Sequence, residues 1–388
     1  MSIVSHKIRL YPKKEQKILI NKSCEVQGFV YNWGLKTWGE QYKKGLKPTY
    51  FSLKKEFNAI KRVEFPFVME VSKCCVEGGL SNLSSAFKMF FKKAGRYPKF
   101  KKLDKKNSFY LANDKFEVKD GFVKLAKIKK VKIAENLRFK GKILSATISR
   151  KSDKYYISIT VDEQILPLAK TNKYIGLDVG LKDFVVTSSG YKFNNPYWLK
   201  KNEQKLKRLQ RSLARMKRGS NNKERKKLKI SKVFDKISNQ RNDYQDKIST
   251  YLIRSNDEIA VEDLNIKGML KNHKLAKQIS NVGWNTFINK LTNKAKMYGR
   301  NIVKVDRWFP STKLCGICGN LNNEMTLNVR NWTCKVCGTK HDRDVNASFN
   351  ILRQAMPCKC GDRTTSVNII KDIKQVDWLN HEIKYQVM

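Results

Sequence analysis

The chain has 388 residues, enough for two or three domains of about 150 residues that each bury a core. Its 81 Lys and Arg residues oppose only 34 Asp and Glu residues, which gives a formal net charge of +47. With 40% hydrophobic residues, including 15 Tyr and 19 Phe, the sequence has too much apolar and aromatic material for a disordered basic tail.

The charge imbalance predicts a polyanionic partner. A Lys-rich composition alone does not explain the shortage of acidic residues, so nucleic acid is the expected partner and a membrane surface the weaker alternative. No apolar run approaches 18 residues, and the start, MSIVSHKIRLYPKK, lacks the apolar stretch of a secretory signal. We therefore expect a soluble cytoplasmic protein, without a membrane partner, that associates with the nucleoid when it is bound to DNA.

Residues 13–95 have the periodicity of helices. Apolar side chains follow helical spacing in two segments, Val26–Trp33 and Val76–Phe87. The stretch Gly45–Pro48 interrupts this pattern, which predicts at least two helices in a helical module.

From about residue 107 to 167 the apolar pattern alternates, as in strands. The segment Phe116–Leu125 has an Asp-Gly turn between two alternating arms, and Ser145–Val161 reads as a second hairpin that turns at Ser152–Lys154. These patterns predict a small antiparallel β module or barrel. If the strand-like Ile8–Leu10 pairs with it, the helices are an insertion between two parts of one β unit.

From about residue 173 the pattern becomes α/β. Tyr174–Leu181 and Phe184–Val186 read as a hairpin, and after a long basic helical stretch the short apolar run Glu258–Glu262 suits a buried parallel strand. Trp284–Leu291 has helical spacing, and Ile302–Val305 reads as a further strand. No internal repeat is present.

Four of the nine cysteines form two C-x-x-C pairs that are separated by 15 residues, Cys315 with Cys318 and Cys334 with Cys337. This spacing is typical of a zinc ribbon, because each turn presents two sulfurs to one tetrahedral ion. Four thiolates leave no open position on the metal, so the zinc is expected to be structural. A redox pair is the alternative.

The remaining cysteines are not expected to bind metal. Cys24, Cys74 and Cys75 lie in helical apolar patterns and are predicted to be buried thiols. Cys358 and Cys360 are separated by a single residue near the C-terminus, and we assign them no role.

Carboxylates occur at the ends of predicted elements. Asp178 lies on an apolar strand, and Glu262 ends another, at the edge of the sheet where α/β proteins place their functional crevice. Asp344 stands just after the cysteine pairs at the start of a probable helix. For Asp178 and Glu262 the alternative is a hydrogen-bonded structural acid, and for Asp344 it is a helix N-cap.

Together the three acids favour a metal-dependent reaction on nucleic acid. Oxygen ligands without a nearby histidine suit Mg²⁺ or Mn²⁺, and two such ions hydrolyse phosphodiesters. The sequence has no phosphate-binding loop and no dinucleotide fingerprint. Its four histidines are far apart in the sequence, which excludes a tyrosine transposase site built from an adjacent histidine pair.

Two segments are candidates for phosphate contact. Between Lys200 and Lys232, 15 Lys or Arg residues oppose only Glu203 and Glu224, around a helical-hairpin turn at Gly219–Asn222. In the second segment, basic and aromatic side chains alternate as on a surface that binds a nucleic-acid strand, although packing at the edge of a hydrophobic core would explain the aromatic residues equally well. Its residues are Arg96, Tyr97, Lys99, Phe100, Lys101 and Lys102.

These motifs, in this order, resemble the TnpB family, the transposon-encoded OrfB proteins related to type V CRISPR effectors. The resemblance rests on GLDVG around Asp178, AVEDLN around Glu262, FPSTKLCGICG, CKVCG and DRDVNASFNIL. The opening HKIRLYPKKEQ, VYNWGL and the segment Tyr97–Phe100 are also similar to that family. The resemblance spans about residues 3 to 355, and the C-terminal motifs are its most specific part.

The resemblance implies a multi-domain α+β and α/β fold. Its parts would be a β-barrel wedge with a helical recognition insertion, then an RNase H-like RuvC nuclease domain with an inserted zinc ribbon. The implied boundaries are 1–12 and 96–170 for the wedge, 13–95 for the insertion, 171–308 and 340–356 for the nuclease, 309–339 for the ribbon and 357–388 for a tail.

The resemblance also implies an activity, RNA-guided DNA cleavage. A guide RNA encoded at the transposon end would bind the protein, and base pairing would select a double-stranded DNA target next to a short motif. Asp178, Glu262 and Asp344 would bind catalytic Mg²⁺, with Asp344 preferred to Asp342 by its place in the motif. Cys315, Cys318, Cys334 and Cys337 would bind zinc, and a monomer is favoured.

Other readings remain open at this stage. One is a nuclease-inactive, RNA-guided repressor, which the presence of all three acids disfavours. Another is a transposase that joins donor and target DNA. A third is a compact CRISPR effector, which would use the same chemistry and would differ in having a repeat array beside the gene.

Overall fold

The structure, a computed structural model, describes residues 2–102, 107–326 and 329–356. The chain divides into two compact units, an N-terminal unit of residues 1–165 and a C-terminal unit of residues 166–388. Within the described ranges, no helix combines the length and the apolar character that crossing a membrane requires.

The described part of the N-terminal unit contains three α-helices. They are α1 (Lys14–Lys43), α2 (Tyr50–Ile60) and α3 (Lys73–Phe91), with short 3-10 helices at Pro66–Glu70 and Asn113–Lys115. The interruption predicted at residues 45–48 is confirmed, because α1 ends before it and α2 begins after it. The hydroxyl of Thr49 accepts a hydrogen bond from Ser52 N and so caps the start of α2.

Seven antiparallel strands form the sheet of this unit. They are β1 (Ser2–Tyr11), β2 (Ser108–Ala112), β3 (Phe116–Lys119), β4 (Phe122–Leu125), β5 (Lys129–Ile133), β6 (Lys142–Lys151) and β7 (Lys154–Glu163). Their order is β2-β6-β7-β1-β5-β4-β3. Because β1 pairs with both β5 and β7, the helices are an insertion between parts of one β unit, as the sequence predicted.

The sequence predicted an antiparallel β module or barrel, and the family resemblance implied a barrel; the antiparallel module is observed, and closure into a barrel is not confirmed. Within the described ranges, the edge strands β2 and β3 each pair with one neighbour, β6 and β4 respectively. Strands β2 to β5 have only four or five residues each, and barrel closure needs tilted, staggered strands that are long enough to meet around the circle. The two predicted hairpins are confirmed as β3–β4 and β6–β7.

The core of the N-terminal unit lies between the sheet and the helices. The alternation along β1 buries Ile8 and Leu10, and the helical spacing along α3 buries Leu80, Leu83 and Phe87. These side chains belong to one hydrophobic cluster, so the inserted helices and the sheet share a core.

The C-terminal unit is built on a five-stranded mixed sheet. Its strands are β8 (Tyr174–Asp178), β9 (Asp183–Thr187), β10 (Lys192–Asn194), β11 (Glu258–Glu262) and β12 (Asn301–Val305). The order is β10-β9-β8-β11-β12. The first three strands run antiparallel, whereas β11 runs parallel to both β8 and β12, which confirms the predicted strands of this region.

Helices pack on both faces of this sheet. They are α4 (Trp198–Ala214), α5 (Asn221–Ser255), α6 (Ile266–Met269), α7 (His273–Val282), α8 (Trp284–Tyr298) and α9 (Arg343–Ala355). Along β11, Ile259 and Val261 join a core cluster with α5 and α8, whereas Ala260 joins a cluster with α9. Successive strand residues face opposite sides, so α9 covers one face and α5 and α8 cover the other.

A two-stranded ribbon stands between β12 and α9 in the sequence. Its strands, β13 (Asn331–Thr333) and β14 (Lys340–Asp342), pair antiparallel. The second strand leads directly into α9, so the ribbon and the helix that covers the sheet are covalently continuous.

Candidate functional site

Asp178 is the last residue of β8, at the carboxyl edge of the sheet. Its carboxyl group is largely surrounded by protein atoms, and Asp344 and Glu262 lie close enough to repel its negative charge. Burial and this repulsion together raise the pKa of Asp178 to about 7. An acid in such a setting is stabilised either by a proton or by a cation.

Glu262 occupies the matching position on the neighbouring strand. It is the last residue of β11, which runs parallel to β8, so both side chains emerge at the same edge. Burial raises the pKa of Glu262 above its ordinary value. The next residue, Asp263, is instead paired with Arg307 at 2.7 Å and Lys304 at 3.3 Å, which marks it as a structural acid.

Asp344 reaches this edge from a distant part of the sequence, in the first turn of α9. Helix α9 packs on β8 at Gly176, where an added Cβ would lie 2.0 Å from the backbone oxygen of Ser348. Only glycine permits this approach. The close packing at Gly176 therefore places Asp344 beside Asp178, two residues further along β8.

The N-cap of α9 is Asp342, not Asp344. One carboxylate oxygen of Asp342 accepts hydrogen bonds from the backbone N–H groups of Asp344 and Val345, each at 3.1 Å, and Lys192 binds the other oxygen at 2.6 Å. These contacts lower the pKa of Asp342 despite its burial. The alternative role of Asp344 as the helix cap is therefore wrong, and its carboxylate is left to other partners.

Two arginines, which sequence reasoning missed, hold the Asp344 carboxylate. Arg330 Nη1 lies 2.8 Å from one oxygen, and Arg343 Nε lies 3.1 Å from the other. Arg330 precedes β13 in the ribbon and is partly exposed. No sequence signal marks it, because one arginine among 81 basic residues is not distinctive without knowledge of the fold.

The three acids converge more loosely than the cysteines do. Among the residues that the structure describes, the four cysteines are the only group of three or more potential metal ligands whose donor atoms all lie within 4.8 Å of one another. A pair of divalent ions stands about 3.5–4 Å apart and needs ligands spread over a wider area than one ion. Carboxylate oxygens in a charge-repelling cluster suit such hard cations.

The cysteine cluster has the dimensions of a zinc site. Sγ of Cys315 lies 3.7 Å from Sγ of Cys337, and Sγ of Cys318 lies 3.5 Å from Sγ of Cys334. A tetrahedral ion with metal–sulfur distances of about 2.3 Å sets its sulfurs about 3.8 Å apart. A hydrogen bond to the hydroxyl of Thr339 lowers the pKa of Cys337 to about 6, which favours the thiolate that binds metal.

The two C-x-x-C turns have the same backbone hydrogen bonds. In each, the N–H of the glycine after the second cysteine donates to the carbonyl of the first, at 2.9 Å in both Gly319–Cys315 and Gly338–Cys334. Both glycines have positive φ, 77° and 70°, a conformation that other residues rarely adopt. The local sequence therefore forms this site turn by turn.

Asparagines of α9 join the first cysteine turn to the acid cluster. Asn346 accepts a hydrogen bond from Gly316 N at 2.9 Å and donates to Leu314 O at 2.7 Å, and Asn350 also donates to Leu314 O. The side chain of Asn346 is buried, two residues from Asp344. These hydrogen bonds thus join the first cysteine turn to the helix that carries Asp344.

The remaining sequence predictions have mixed outcomes. Cys24, Cys74 and Cys75 are buried, as predicted, whereas Cys358 and Cys360 lie outside the described residues. The basic segment forms the hairpin α4–α5 with its turn near Gly219, and residues 207–232 include no buried side chain. In the second basic segment, Lys101 lies over the ring of Tyr31, 4.9 Å from its centroid.

Known protein families match three segments of the chain. A "Probable transposase" family, OrfB_IS605, matches residues 156–273, and a "Cas12f1-like, TNB domain" family matches residues 284–351. A "Helix-turn-helix domain" family of OrfB_IS605 matches residues 1–47. In the described part of that last segment the chain has one strand and one helix, β1 and α1.

Similar proteins cover nearly the whole chain. A Streptomyces pristinaespiralis protein, named provisionally as an RNA-guided DNA endonuclease, is 34% identical over 92% of this chain and 90% of its own length. InsQ of Escherichia coli K12, with the same provisional name, is 27% identical over 94% of this chain and 96% of its own length.

A solved structure, a Cas12f1–sgRNA–target DNA complex, is 18% identical to this chain. The match covers 91% of this chain and 99% of that one, with a TM-score of 0.37, too loose to establish a common arrangement of the units. The closer relatives suffice for the family. The chain belongs to the TnpB family of transposon-encoded proteins, as its motifs predicted.

Proposed function

We propose that this protein is an RNA-guided DNA endonuclease. It binds a guide RNA derived from the transposon end and cleaves double-stranded DNA next to a short motif. The observation that supports cleavage is the cluster of Asp178, Glu262 and Asp344, in which burial and mutual repulsion raise the pKa of Asp178 to about 7. An acid cluster this unfavourable without a cation is typical of a metal-dependent phosphodiesterase.

The three acids would hold Mg²⁺ or Mn²⁺ at the carboxyl edge of the sheet. When bound, the metal lowers the pKa of a water molecule and offsets charge on the leaving oxygen. Asp178 and Glu262 stand on adjacent parallel strands and set the spacing of the site. Arg330, which pairs with Asp344 without metal, is exposed enough to turn to a phosphate of the substrate.

We also propose the domain assignment that the family resemblance implies. Residues 171–308 and 340–356 would form an RNase H-like nuclease domain, and residues 309–339 would form a ribbon with a structural zinc at the four cysteines. Residues 1–12 and 96–170 would be the wedge, and residues 13–95 the recognition insertion. The β10-β9-β8-β11-β12 sheet with helices on both faces supports the nuclease assignment.

The charge of the chain supports its nucleic-acid partners. A net charge of +47 suits a protein that holds RNA and DNA together, because each phosphate neutralised releases a counterion. Base pairing would read the target sequence, and the protein would read helical shape and the short motif. We expect the complex to act in the cytoplasm on DNA of the nucleoid.

The decisive experiment begins with the RNA. The gene is expressed with its native flanking DNA, the protein is purified at high salt to remove loosely held nucleic acid, and the bound RNA is sequenced. A defined RNA whose end runs into neighbouring sequence is expected. That complex is then incubated with Mg²⁺ and with DNA that matches the guide and carries a randomised flanking sequence.

Cleavage by the wild-type complex, absent from Asp178→Asn, is the expected outcome. A heterogeneous RNA population, or cleavage that is independent of the guide, would contradict RNA guidance. Joined donor and target DNA would indicate a transposase instead, and target binding by the wild-type complex without cleavage would indicate a repressor.

A further inference from the structure

Trp308 is exposed in an unusual way for a tryptophan. Its side chain is 85% exposed, whereas the other tryptophans that the structure describes are buried or partly buried. Exposing so large an apolar ring to water costs about 2 kcal/mol relative to burying it. A ring displayed in this way is typical of a surface that binds a flat partner.

The loop around Trp308 is held in place on both sides. Asp306 Oδ1 accepts a hydrogen bond from Trp308 N at 2.8 Å, and Phe309 N donates to Asp306 O at 3.1 Å. The side chain of Phe309 packs against the core cluster beneath α9. The indole is therefore presented by an ordered turn, with the residue that follows it anchored in the core.

The turn lies at the same edge of the sheet as the three acids. Val305, the last residue of β12, is the ladder partner of Glu262, and its carbonyl accepts a hydrogen bond from Asp263 N at 3.0 Å. Trp308 follows three residues later, so its Cα lies within about 11 Å of Val305 Cα. Ladder partners are about 5 Å apart, so Trp308 Cα lies within about 16 Å of Glu262 Cα, at the end of the sheet that carries the acids.

We propose that Trp308 stacks on a base of the DNA strand that this site cuts and so positions the scissile phosphate. This inference rests on the proposed nuclease function and assigns one contact of its substrate. A base is favoured over an apolar protein segment because the ring follows β12 at the sheet edge that carries the acids of the proposed nuclease site. The charged side chains nearest in sequence are mixed: Arg307 pairs with Asp263, Asp306 holds Trp308 N, and Lys313 is exposed.

Stacking explains why the ring is exposed on a turn whose backbone is held in place. Every base has an aromatic face, so one tryptophan holds any sequence, as a nuclease guided by RNA requires. A base stacked on an aromatic side chain contributes about 1–3 kcal/mol. If the contact is formed with the strand at the site, its loss lowers kcat/KM about 5- to 150-fold.

The test combines a protein change with a matching DNA change. Trp308→Ala, Trp308→Phe and the control Phe51→Ala are compared on guided targets that carry one abasic nucleotide at successive positions around the cut. Phe51 has a side chain that is 78% exposed and lies in the proposed recognition insertion, so Phe51→Ala is compared only for its dependence on the abasic position and not for its overall rate. Zinc content and melting temperature confirm that each variant is folded.

We expect Trp308→Ala to lower kcat/KM 5-fold or more and Trp308→Phe to restore most of it. One abasic position should reduce cleavage by the wild-type complex to a similar extent and have little further effect on Trp308→Ala. Phe51→Ala should retain the abasic effect. Unchanged cleavage by Trp308→Ala, or losses that multiply at every abasic position, would overturn this inference alone. A wild-type complex that cuts no DNA would overturn the proposed function and the inference together.

Discussion

The two ends of strand β11 carry acids in opposite electrostatic settings. Before the strand, Asp257 accepts hydrogen bonds from Thr171 N and Asn172 N, each at 2.8 Å, and pairs with the buried guanidinium of Arg300. Burial alone would raise the pKa of Asp257, but these hydrogen bonds and the charge of Arg300 lower it. At the other end, burial raises the pKa of Glu262.

The difference separates a structural acid from the acids of the proposed metal site. The charge of Asp257 is neutralised within the fold. Arg300 also donates hydrogen bonds to the carbonyls of Ile253 and Ala169, so this ion pair is held by further contacts within the protein. At Asp178 and Glu262 the protein compensates less. The charge of Arg343 and the backbone N–H of Val179 lower the pKa of Asp178, but burial and repulsion raise it further, and burial raises the pKa of Glu262. The clustering of these carboxylates becomes electrostatically favourable only when a cation or a proton is supplied.

The largest effect is expected from Asp178→Asn. Removing this carboxylate should reduce guided DNA cleavage by roughly 10³-fold or more, because it faces both other acids. The fold should remain intact, since an uncharged amide relieves repulsion from Asp344 and Glu262. Single-turnover cleavage and thermal melting of the same preparations provide the measurement. Substantial cleavage by the variant would remove Asp178 from the site.

Asp257→Asn should have the reverse effect at the other end of β11. It leaves the charge of Arg300 buried and unpaired, and we expect a loss of roughly 3 kcal/mol in the unfolding free energy of the C-terminal unit. Cleavage measured well below the melting temperature should change only a few-fold. Hydrogen exchange along β11 and β12 localises the loss. A normal melting temperature would show that the ion pair adds no stability.

Acid titration should sharpen the same comparison. The pKa of Asp257 is lower in the folded chain than in the unfolded chain, so the unfolded state binds more protons between these two values. The stability that Asp257 contributes is therefore present above about pH 4 and is lost as pH falls through its folded pKa. The melting temperature should fall more steeply between pH 6 and pH 3 for the wild type than for Asp257→Asn. An equal fall in both proteins would contradict the stabilising role of the Asp257 carboxylate.

A smaller effect is expected at the functional end from Asn346→Ala. The change leaves Gly316 N without its buried acceptor, whereas Leu314 O keeps the hydrogen bond from Asn350, and the unpaired N–H costs about 1–3 kcal/mol locally. Zinc release to a chelator should become faster, and cleavage should decline because the ribbon also carries Arg330. Asn202→Ala, which removes an amide bonded to Trp198 O in α4, is the matched control. Equal zinc release from both variants would show that the ribbon is independent of α9.

The smallest effect should come from Asp342→Ala. This change removes the N-cap of α9 and the contact with Lys192, at a cost of about 1 kcal/mol. Cleavage should fall no more than a few-fold, whereas Asp344→Asn should abolish it. The pair of variants distinguishes two acids that are two residues apart. Loss of cleavage in Asp342→Ala with an unchanged melting temperature would assign the metal to Asp342 instead.

Much of the fold follows from short-range patterns. The cysteine turns, the two N-terminal hairpins and the break before α2 were predicted correctly because each depends on residues within about 20 positions of one another. The barrel that the family resemblance implied is not confirmed, because closure depends on whether distant short strands meet. Alternation along a strand carries no information about that.

The sequence by itself determined the family and pointed to the cysteines and acids worth testing, because those properties belong to residue types at set spacings. Only the tertiary structure decided which acids are compensated. Asp257 and Asp178 are both acids at strand ends in the sequence. Their settings differ because Arg300 pairs with Asp257, whereas the negatively charged Asp344 lies near Asp178. The packing of α9 at Gly176, which is 168 positions before Asp344 in the sequence, brings Asp344 close to Asp178. Electrostatic energy depends on this distance in space and not on separation in the sequence.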